Sequence, residues 1–317
     1  RWEEMFIELT EYMKINEKLQ LIKKISGLTQ EKLAGEIGVS FVTLNSWINE
    51  RSIPHKKKQD IIDELYKKYT GQKVIPDTEL QAKKELIYKK SKNYKNIIQT
   101  IRKRQDVHDQ FVLSLTYNSN SIEGSTLTEN ETADILFRNK NISNKSLIEN
   151  LEAKNHQVAL EYLFREIKLN FKIDEDFILK MHAILMNGIR DDAGMYRRHG
   201  VRIVAANVPT ANYIKVPVLM KEIIIEIERR DFDVLSHVSM VHSKFEKIHP
   251  FSDGNGRIGR LIMAAMLLRK NLPIAIIKQE DKGRYYKYLQ KSQIEGDLSS
   301  LEDFICDSVF DGYKTIK

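Results

Sequence analysis

A single cysteine, Cys306, stands in 317 residues. That excludes an intramolecular disulfide and a thiolate-based zinc site. No apolar run approaches the length of a membrane span; Leu261–Leu268 is far too short. Arg1-Trp2-Glu3-Glu4 leads into no signal-peptide core, and the sequence does not begin at Met, so whether residues precede Arg1 is left open. His-Glu-x-x-His and Gly-x-x-x-x-Gly-Lys-Ser/Thr are both missing, which removes support for zinc hydrolases and P-loop enzymes. No internal repeat of fixed period is visible. These absences make a reducing, cytoplasmic setting the plain expectation, with no membrane partner.

What is present is the composition of a soluble globular protein, 42% hydrophobic and 30% charged. The length suits one large domain and a small one. The net charge of +7 is concentrated: residues 51–105 hold 16 Lys/Arg against 6 Asp/Glu. Such a block can track a phosphate backbone, or it can be the solvated face of a Lys-rich helix.

The N-terminal stretch reads as short helices. Ile15, Leu19, Ile22 and Ile25 recur at helical spacing up to Ser26-Gly27. Thr29 is placed to cap a helix from Gln30 to Ile37, and Ser40 to cap another through Leu44, Trp47 and Ile48. Gly38 sits where the turn between them needs a positive φ. Leu28-Thr29-Gln30-Glu31-Lys32-Leu33-Ala34 through Trp47-Ile48-Asn49-Glu50 resembles the Cro/repressor type of helix-turn-helix domain. The resemblance implies DNA as a partner, with Phe41, Val42, Thr43, Asn45 and Ser46 near the groove. That face has no Arg or Lys until Arg51, so it offers no bidentate guanine readout. Phosphate contact falls to Arg51 and Lys56-Lys57-Lys58.

Beyond Gly71 and Pro76, Leu80 to Ile122 has almost no helix breaker and predicts one long helix or two end to end. Gly124 suits the end of that element, and Thr128 with Glu131 forms a capping box for the next. Helical patterns follow over roughly Lys145–Lys168, Asp176–Met186, Val218–Arg229, Val234–Ile248, Gly256–Arg269, Lys282–Gln293 and Ser300–Phe310. Strand character is confined to Val201–Ala205 and Tyr213–Val216, read as one hairpin.

Val234, Val238, Val241, Phe245 and Ile248 form an apolar stripe ending at His249, and Ile258, Leu261, Ile262, Ala265 and Leu268 start another after Gly256. Between these core helices lies His249-Pro250-Phe251-Ser252-Asp253-Gly254-Asn255-Gly256-Arg257-Ile258-Gly259-Arg260. A structural turn does not need His, Asp and two Arg crowded together. A nucleoside triphosphate gives each a task. Gly254 and Gly256 let the backbone approach phosphate, and the helix start presents unpaired N–H groups to an anion. Asn255 adds a donor, Arg257 a forked cation, and Asp253 a hard oxygen for Mg²⁺. His249 can be a neutral general base near pH 7. Phe251 anchors the loop, and Arg260 lies one turn beyond Arg257.

This loop resembles the active-site motif of the Fic family, His-Pro-Phe-x-acidic-Gly-Asn-Gly-Arg-x-x-Arg, and meets every specified position. The likeness extends over roughly residues 105–310. It implies transfer of AMP from ATP to a Tyr, Ser or Thr hydroxyl of a protein, with His249 as base. Gly256 stands where the phosphotransferase branch has Lys, which favours nucleotidyl transfer. The implied fold is all-α, mainly helical with one β-hairpin flap, plus the small helix-turn-helix domain. The implied division is 1–70 for that domain, 71–104 for a basic helical linker and 105–317 for the Fic domain. Gly194-Met195-Tyr196-Arg197 and Val201-Arg202-Ile203 are similar to the flap that docks a target by main-chain pairing. Tyr285, Tyr286 and Gln293 look like the adenine-side wall; ordinary packing of the tyrosines stays an equal reading.

Ser119-x-x-x-Glu123-Gly124 is similar to the inhibitory motif of Fic proteins whose blocking helix precedes the core. The resemblance implies a salt bridge from Glu123 to Arg260 that holds the enzyme off, and a carboxylate able to support AMP removal. A solvated helix end is the plain alternative. His182, His237 and His242 read as packed side chains. Two other functions remain open: a DNA-binding regulator that senses nucleotide or a partner through the Fic fold, and a toxin-like phosphotransferase. A second copy of the chain is a further partner to consider.

Overall fold

The computed structural model describes residues 14–70, 77–168, 171–202, 208–229 and 233–317. The chain divides into two compact units, Arg1–Asp77 and Thr78–Lys317.

In the first unit, α1 (Ile15–Ser26), α2 (Gln30–Ile37), α3 (Phe41–Ile48) and α4 (Lys56–Thr70) enclose a core of Leu19, Ile22, Leu33, Ile37, Leu44, Trp47 and Ile62. Each of these large side chains contributes about 1.5–3 kcal/mol by leaving water. The expected caps form: Thr29 Oγ1 accepts from Lys32 N and Ser40 Oγ from Thr43 N. Gly38 turns the chain at φ 72°. Lys58, one of the lysines expected to reach phosphate, donates to the carbonyls of Ile37 at 2.7 Å and Gly38 at 2.9 Å. It serves as the positive cap of α2, whose last carbonyls have no partner within the helix.

The second unit runs α5 (Asp77–Ser91), α6 (Ile97–Lys103), α7 (Gln105–Glu123), α8 (Glu129–Arg138), α9 (Leu147–Glu166), α10 (Glu175–Leu185), α11 (Val216–Glu228), α12 (Val234–Ile248), α13 (Asn255–Leu268), α14 (Lys282–Glu295) and α15 (Ser299–Ile316). At its centre α13 is buried on nearly every side, and α7, α9, α10 and α12 pack around it. The two apolar stripes predicted for α12 and α13 meet face to face, with Val238, Phe245, Ile258, Leu261 and Leu268 all buried. That pairing presents the α12–α13 loop at the end of a rigid helical hairpin.

Three predictions are corrected. The breaker-free stretch 80–122 is three helices: the chain leaves α5 after Ser91, restarts with Asn96 capping α6, and breaks again at Arg104, whose φ and ψ are −103° and 103°. Tyr94, in the turn between the first two, packs against Tyr313 with ring centroids 5.5 Å apart.

Two lysines of the basic linker are not part of a solvated face, although Lys89, Lys92 and Lys95 are exposed. Lys84 is buried and ion-paired with Glu302 and with Asp233 at 3.3 Å, and Lys83 pairs with Asp303 and with Asp307 at 2.8 Å. Desolvation alone would deprotonate a buried lysine, but these carboxylates hold both ammonium groups above their ordinary pKa.

The second arm of the hairpin, Tyr213–Lys215, is one turn of 3₁₀ helix leading into α11. Asn212 Oδ1 accepts from Ile214 N at 3.1 Å. Proline follows in the first turn of α11, where a missing N–H leaves no hydrogen bond unmade. In the first arm, Val201 and Arg202 are irregular, and Ile203 to Ala205 lie outside the described residues. No strand occurs among the described residues.

Candidate active site

α12 ends by turning left-handed at His249, with φ 52° and ψ 61°. For a residue with a Cβ that conformation costs about 1–2 kcal/mol, so the surroundings must impose it. Arg197 Nε donates to His249 O at 2.7 Å, and Arg197 N donates to Pro250 O at 2.9 Å. Phe251 is fully buried and stacks on His182, centroids 3.7 Å apart and planes at 7°. His182 accepts from Gly194 N through Nδ1 at 2.8 Å, so its Nε2–H donates to Asp253 O at 3.1 Å. Burial lowers its pKa to about 4, keeping it a neutral loop brace.

The His249 imidazole is oriented by its neighbour one turn back. Its Nδ1 lies 3.2 Å from Glu246 O, an atom that only accepts, so Nδ1 carries the proton and Nε2 keeps its lone pair. Burial lowers the His249 pKa below its ordinary value, and the nearby Arg197 cation lowers it further. Glu246 itself is buried beneath the loop. Burial pushes its carboxyl up to about 8, although Arg260 pulls the other way.

Asn255 departs from its expected part. It is buried and closes the loop on itself: Phe251 N donates to its Oδ1 at 2.8 Å, and its Nδ2 donates to Phe251 O at 2.9 Å. Its carbonyl and one of its two N–H donors are thus committed to shaping the loop. Gly254 has φ 76°, and a Cβ there would stand 2.9 Å from Met186 Sδ. Gly256 is required for a different contact: its Cβ would lie 2.2 Å from Glu123 Oε1.

Each loop arginine is hydrogen-bonded to one glutamate. Arg260 donates through Nη2 to Glu123 Oε1 at 2.7 Å, through Nε to Ser119 Oγ at 2.9 Å and through Nη2 to Ser119 O at 3.1 Å. The expected Ser119–Glu123–Arg260 constellation is thus assembled, with Glu123 on the last turn of α7 before Gly124, φ 110°. Arg257, 2% exposed, donates through Nη1 to Glu152 Oε1 at 2.6 Å and lies 3.6 Å from Asp253 Oδ1. Asp253 is half exposed, and its Oδ1 accepts from Gly254 N at 2.6 Å. It fits a hard cation shared with phosphates, since its Oδ2 makes no hydrogen bond among the described residues. Those residues contain no group of three or more His, Cys, Asp or Glu able to hold a metal alone.

On the adenine side Tyr285 and Gln293 are both buried. Tyr285 is 1% exposed and its hydroxyl meets His242 Nε2 at 2.6 Å, while buried Gln293 donates to Ser243 O at 3.2 Å. Tyr286 is only partly buried. In the first unit, Thr43 is bonded to Ser40, Asn45 to Asn49 and Ser46 to Ser52, with Arg51 exposed.

Residues 172–267, which hold the whole loop, match the Fic/DOC family. That segment is similar to a Fic domain. The chain is 34% identical over 201 residues to the protein adenylyltransferase Fic of Nematostella vectensis, covering 60% of this chain and 45% of that one. With its namesake from Drosophila erecta the identity is 30% over 198 residues, covering 60% and 39%. The chain thus spans less than half the length of these relatives. Among solved structures, Fic-1 (residues 134–508) of C. elegans superposes with a TM-score of 0.67 at 19% identity, covering 98% of this chain and 90% of that one. A Fic-domain protein from Bacteroides thetaiotaomicron gives 0.62 at 24%, covering 74% and 96%. These likenesses establish a Fic fold.

Several site residues escaped the sequence reading. Glu152 is one of four glutamates on α9, and nothing local marks it as the partner of Arg257. Glu246 precedes the motif by three residues, and only its burial sets it apart. His182 was read correctly as packed, but its place under Phe251 was not visible. No described helix is long and apolar enough to cross a membrane.

Proposed function

We infer that this Fic domain transfers AMP from ATP to a hydroxyl of a protein target, and that Glu123 holds it off at rest. The observation that carries this reading is the 2.7 Å ion pair between Glu123 and Arg260, made inside a loop whose His249 keeps Nε2 unprotonated. The relatives named protein adenylyltransferase support the chemistry.

In the reaction, ATP sits with its phosphates over the start of α13, where the first N–H groups lack intrahelical acceptors. His249 Nε2 takes the proton of the target hydroxyl as its oxygen attacks the α-phosphorus. The new O–P bond forms while the bond to the bridging oxygen breaks, and pyrophosphate leaves. Asp253 would hold Mg²⁺, which neutralises phosphate charge. Val201 and Arg202 would pair with the target backbone. Arg260 binds the outer phosphates once Glu123 releases it, and until then the guanidinium is occupied and ATP is misplaced. The same carboxylate, left near the α-phosphate, suits AMP removal.

The test is incorporation of α-labelled ATP into lysate proteins by the Glu123→Gly form. Adding His249→Ala should lower it by about 10²- to 10⁴-fold, the usual worth of a general base. Label arriving from γ-labelled ATP instead would identify a phosphotransferase and refute the reading.

A second reading, DNA binding by the first unit, draws on Phe41 and Val42, which stay exposed on α3 while Leu44 and Trp47 are buried. Filter binding with a steep salt dependence would support it.

A further inference from the structure

Arg197 is among the most buried charged groups of the second unit, at 2% exposure, yet the partners it meets are neutral. Its guanidinium donates to four carbonyls: Nε to His249 at 2.7 Å, Nη1 to His199 at 2.7 Å, and Nη2 to Ala211 at 2.5 Å and Ile248 at 3.4 Å. Two of these carbonyls are the end of α12, from which the imidazole hangs. The other two lie on the stretches that end at Arg202 and resume at Val208. A buried guanidinium without a carboxylate loses solvation that four hydrogen bonds only partly replace, which lowers its pKa. A side chain kept only for packing has no need of that charge.

We propose that Arg197 is a positioning residue that registers the target-holding backbone against His249. The planar fork is what makes this possible, because it fixes several acceptors at once in set directions. Thr210 Oγ1 adds a brace, donating to Val201 O at 2.8 Å, and Ala211 N donates to Lys247 O at 3.3 Å. Together these bonds make the backbone at 199–202 and at 210–211 one body with the end of α12. A hydroxyl presented by that backbone therefore arrives at a fixed place relative to Nε2.

The same cation acts on the imidazole electrostatically. The charged groups acting on His249 are Arg197, which disfavours the imidazolium, and Glu123 and Asp253, which favour it; the Glu246 carbonyl also favours it, and its carboxyl lies 3.9 Å from Nδ1. Arg197 is the cation of this set, so its removal frees the imidazole to protonate at higher pH.

This inference rests on the transfer reading, so the experiment needs one readout that does not. In ¹³C/¹⁵N-histidine-labelled protein, the His249 resonance is assigned by its loss in His249→Ala and titrated in wild type, Arg197→Lys and Arg197→Gln. Arg197→Gln should raise the His249 pKa by about one unit, and Arg197→Lys should leave it near wild type. In the Glu123→Gly background, both variants should lose AMP transfer by about 10- to 100-fold, since a single ammonium cannot reproduce the fork. ATP affinity should stay within about twofold of the parent, because Arg197 lies on the target side of the loop.

Unchanged titration in Arg197→Gln, full transfer in Arg197→Lys, or a matching loss of ATP binding would each overturn the assignment. Should Arg197→Gln not fold, the transfer rate and ATP affinity of Arg197→Lys decide it. If the Glu123→Gly parent transfers no label, the transfer reading fails, and the titration still decides the part played by Arg197.

Discussion

Arg257 and Arg260 lie one turn apart on α13, and each is paired with a glutamate from another helix, yet the two pairs are built differently. Glu152 meets a guanidinium that is 2% exposed, from the middle of α9, itself 17% exposed. Glu123 meets Arg260 from the last turn of α7, at 30% exposure, next to a glycine with φ 110° where the helix stops. A carboxylate in mid-helix and largely dry is expensive to move, because its departure strands a buried charge. One at a helix end, already a third in water, can leave at lower cost. The comparison teaches that two arginines of like chemistry are held differently, and on the proposed function the drier pair would fix the loop while the wetter one would be exchanged for phosphate.

The largest expected effect of breaking this comparison comes from Glu152→Gln. It leaves Arg257 with only the Asp253 carboxylate at 3.6 Å and should cost about 2 kcal/mol of unfolding free energy, somewhat below the range for a fully buried pair. Denaturant unfolding reads that loss, and in the Glu123→Gly background transfer should fall. A rise in transfer would make Glu152 a second off-switch and erase the distinction. A smaller effect is expected from Ser119→Ala, which removes the acceptor of Arg260 Nε and loosens the switchable pair by about 1 kcal/mol. Transfer by the otherwise wild-type chain should rise about fivefold, measured with α-labelled ATP.

The smallest effect is that of pH near neutrality. Burial and Arg197 hold His249 below its ordinary pKa, and removing Glu123 takes away a carboxylate that raised it. The imidazole is therefore already neutral at pH 7, so transfer by Glu123→Gly should change by less than about twofold from pH 7 to 8 and decline only on the acid side of neutrality. A rate still climbing steeply at pH 8 would show that the base is not this imidazole.

What was legible in the sequence was what is local. Thr29, Ser40 and the Thr128–Glu131 box cap their helices because caps act over three residues. The stripes of α12 and α13 follow from a 3.6-residue period, and i+4 spacing put Ser119 and Glu123 on one helix face, while Arg260 as their partner came from the resemblance to the inhibitory motif. What stayed hidden was decided at a distance. Lys83 and Lys84 look solvated until Asp303 and Glu302, more than 200 residues away, are brought beside them. Asn255 carries the chemistry of a ligand donor, but the loop closes on it first. Tyr285 carries the chemistry of a base-stacking wall, but it is 1% exposed, with its hydroxyl bonded to His242. The break at Arg104 has no glycine or proline to announce it. The position of α6 is set by packing of Ile97, Ile98 and Ile101.

The central claim is that the loop is competent and Glu123 withholds it. The most direct measurement compares incorporation of α-labelled ATP by wild type and Glu123→Gly at equal concentration, with His249→Ala/Glu123→Gly as the blank. The account predicts weak incorporation by wild type and a rise of roughly 5- to 150-fold for Glu123→Gly, the span of a typical regulatory coupling. Equal incorporation by the two proteins above the blank would contradict it.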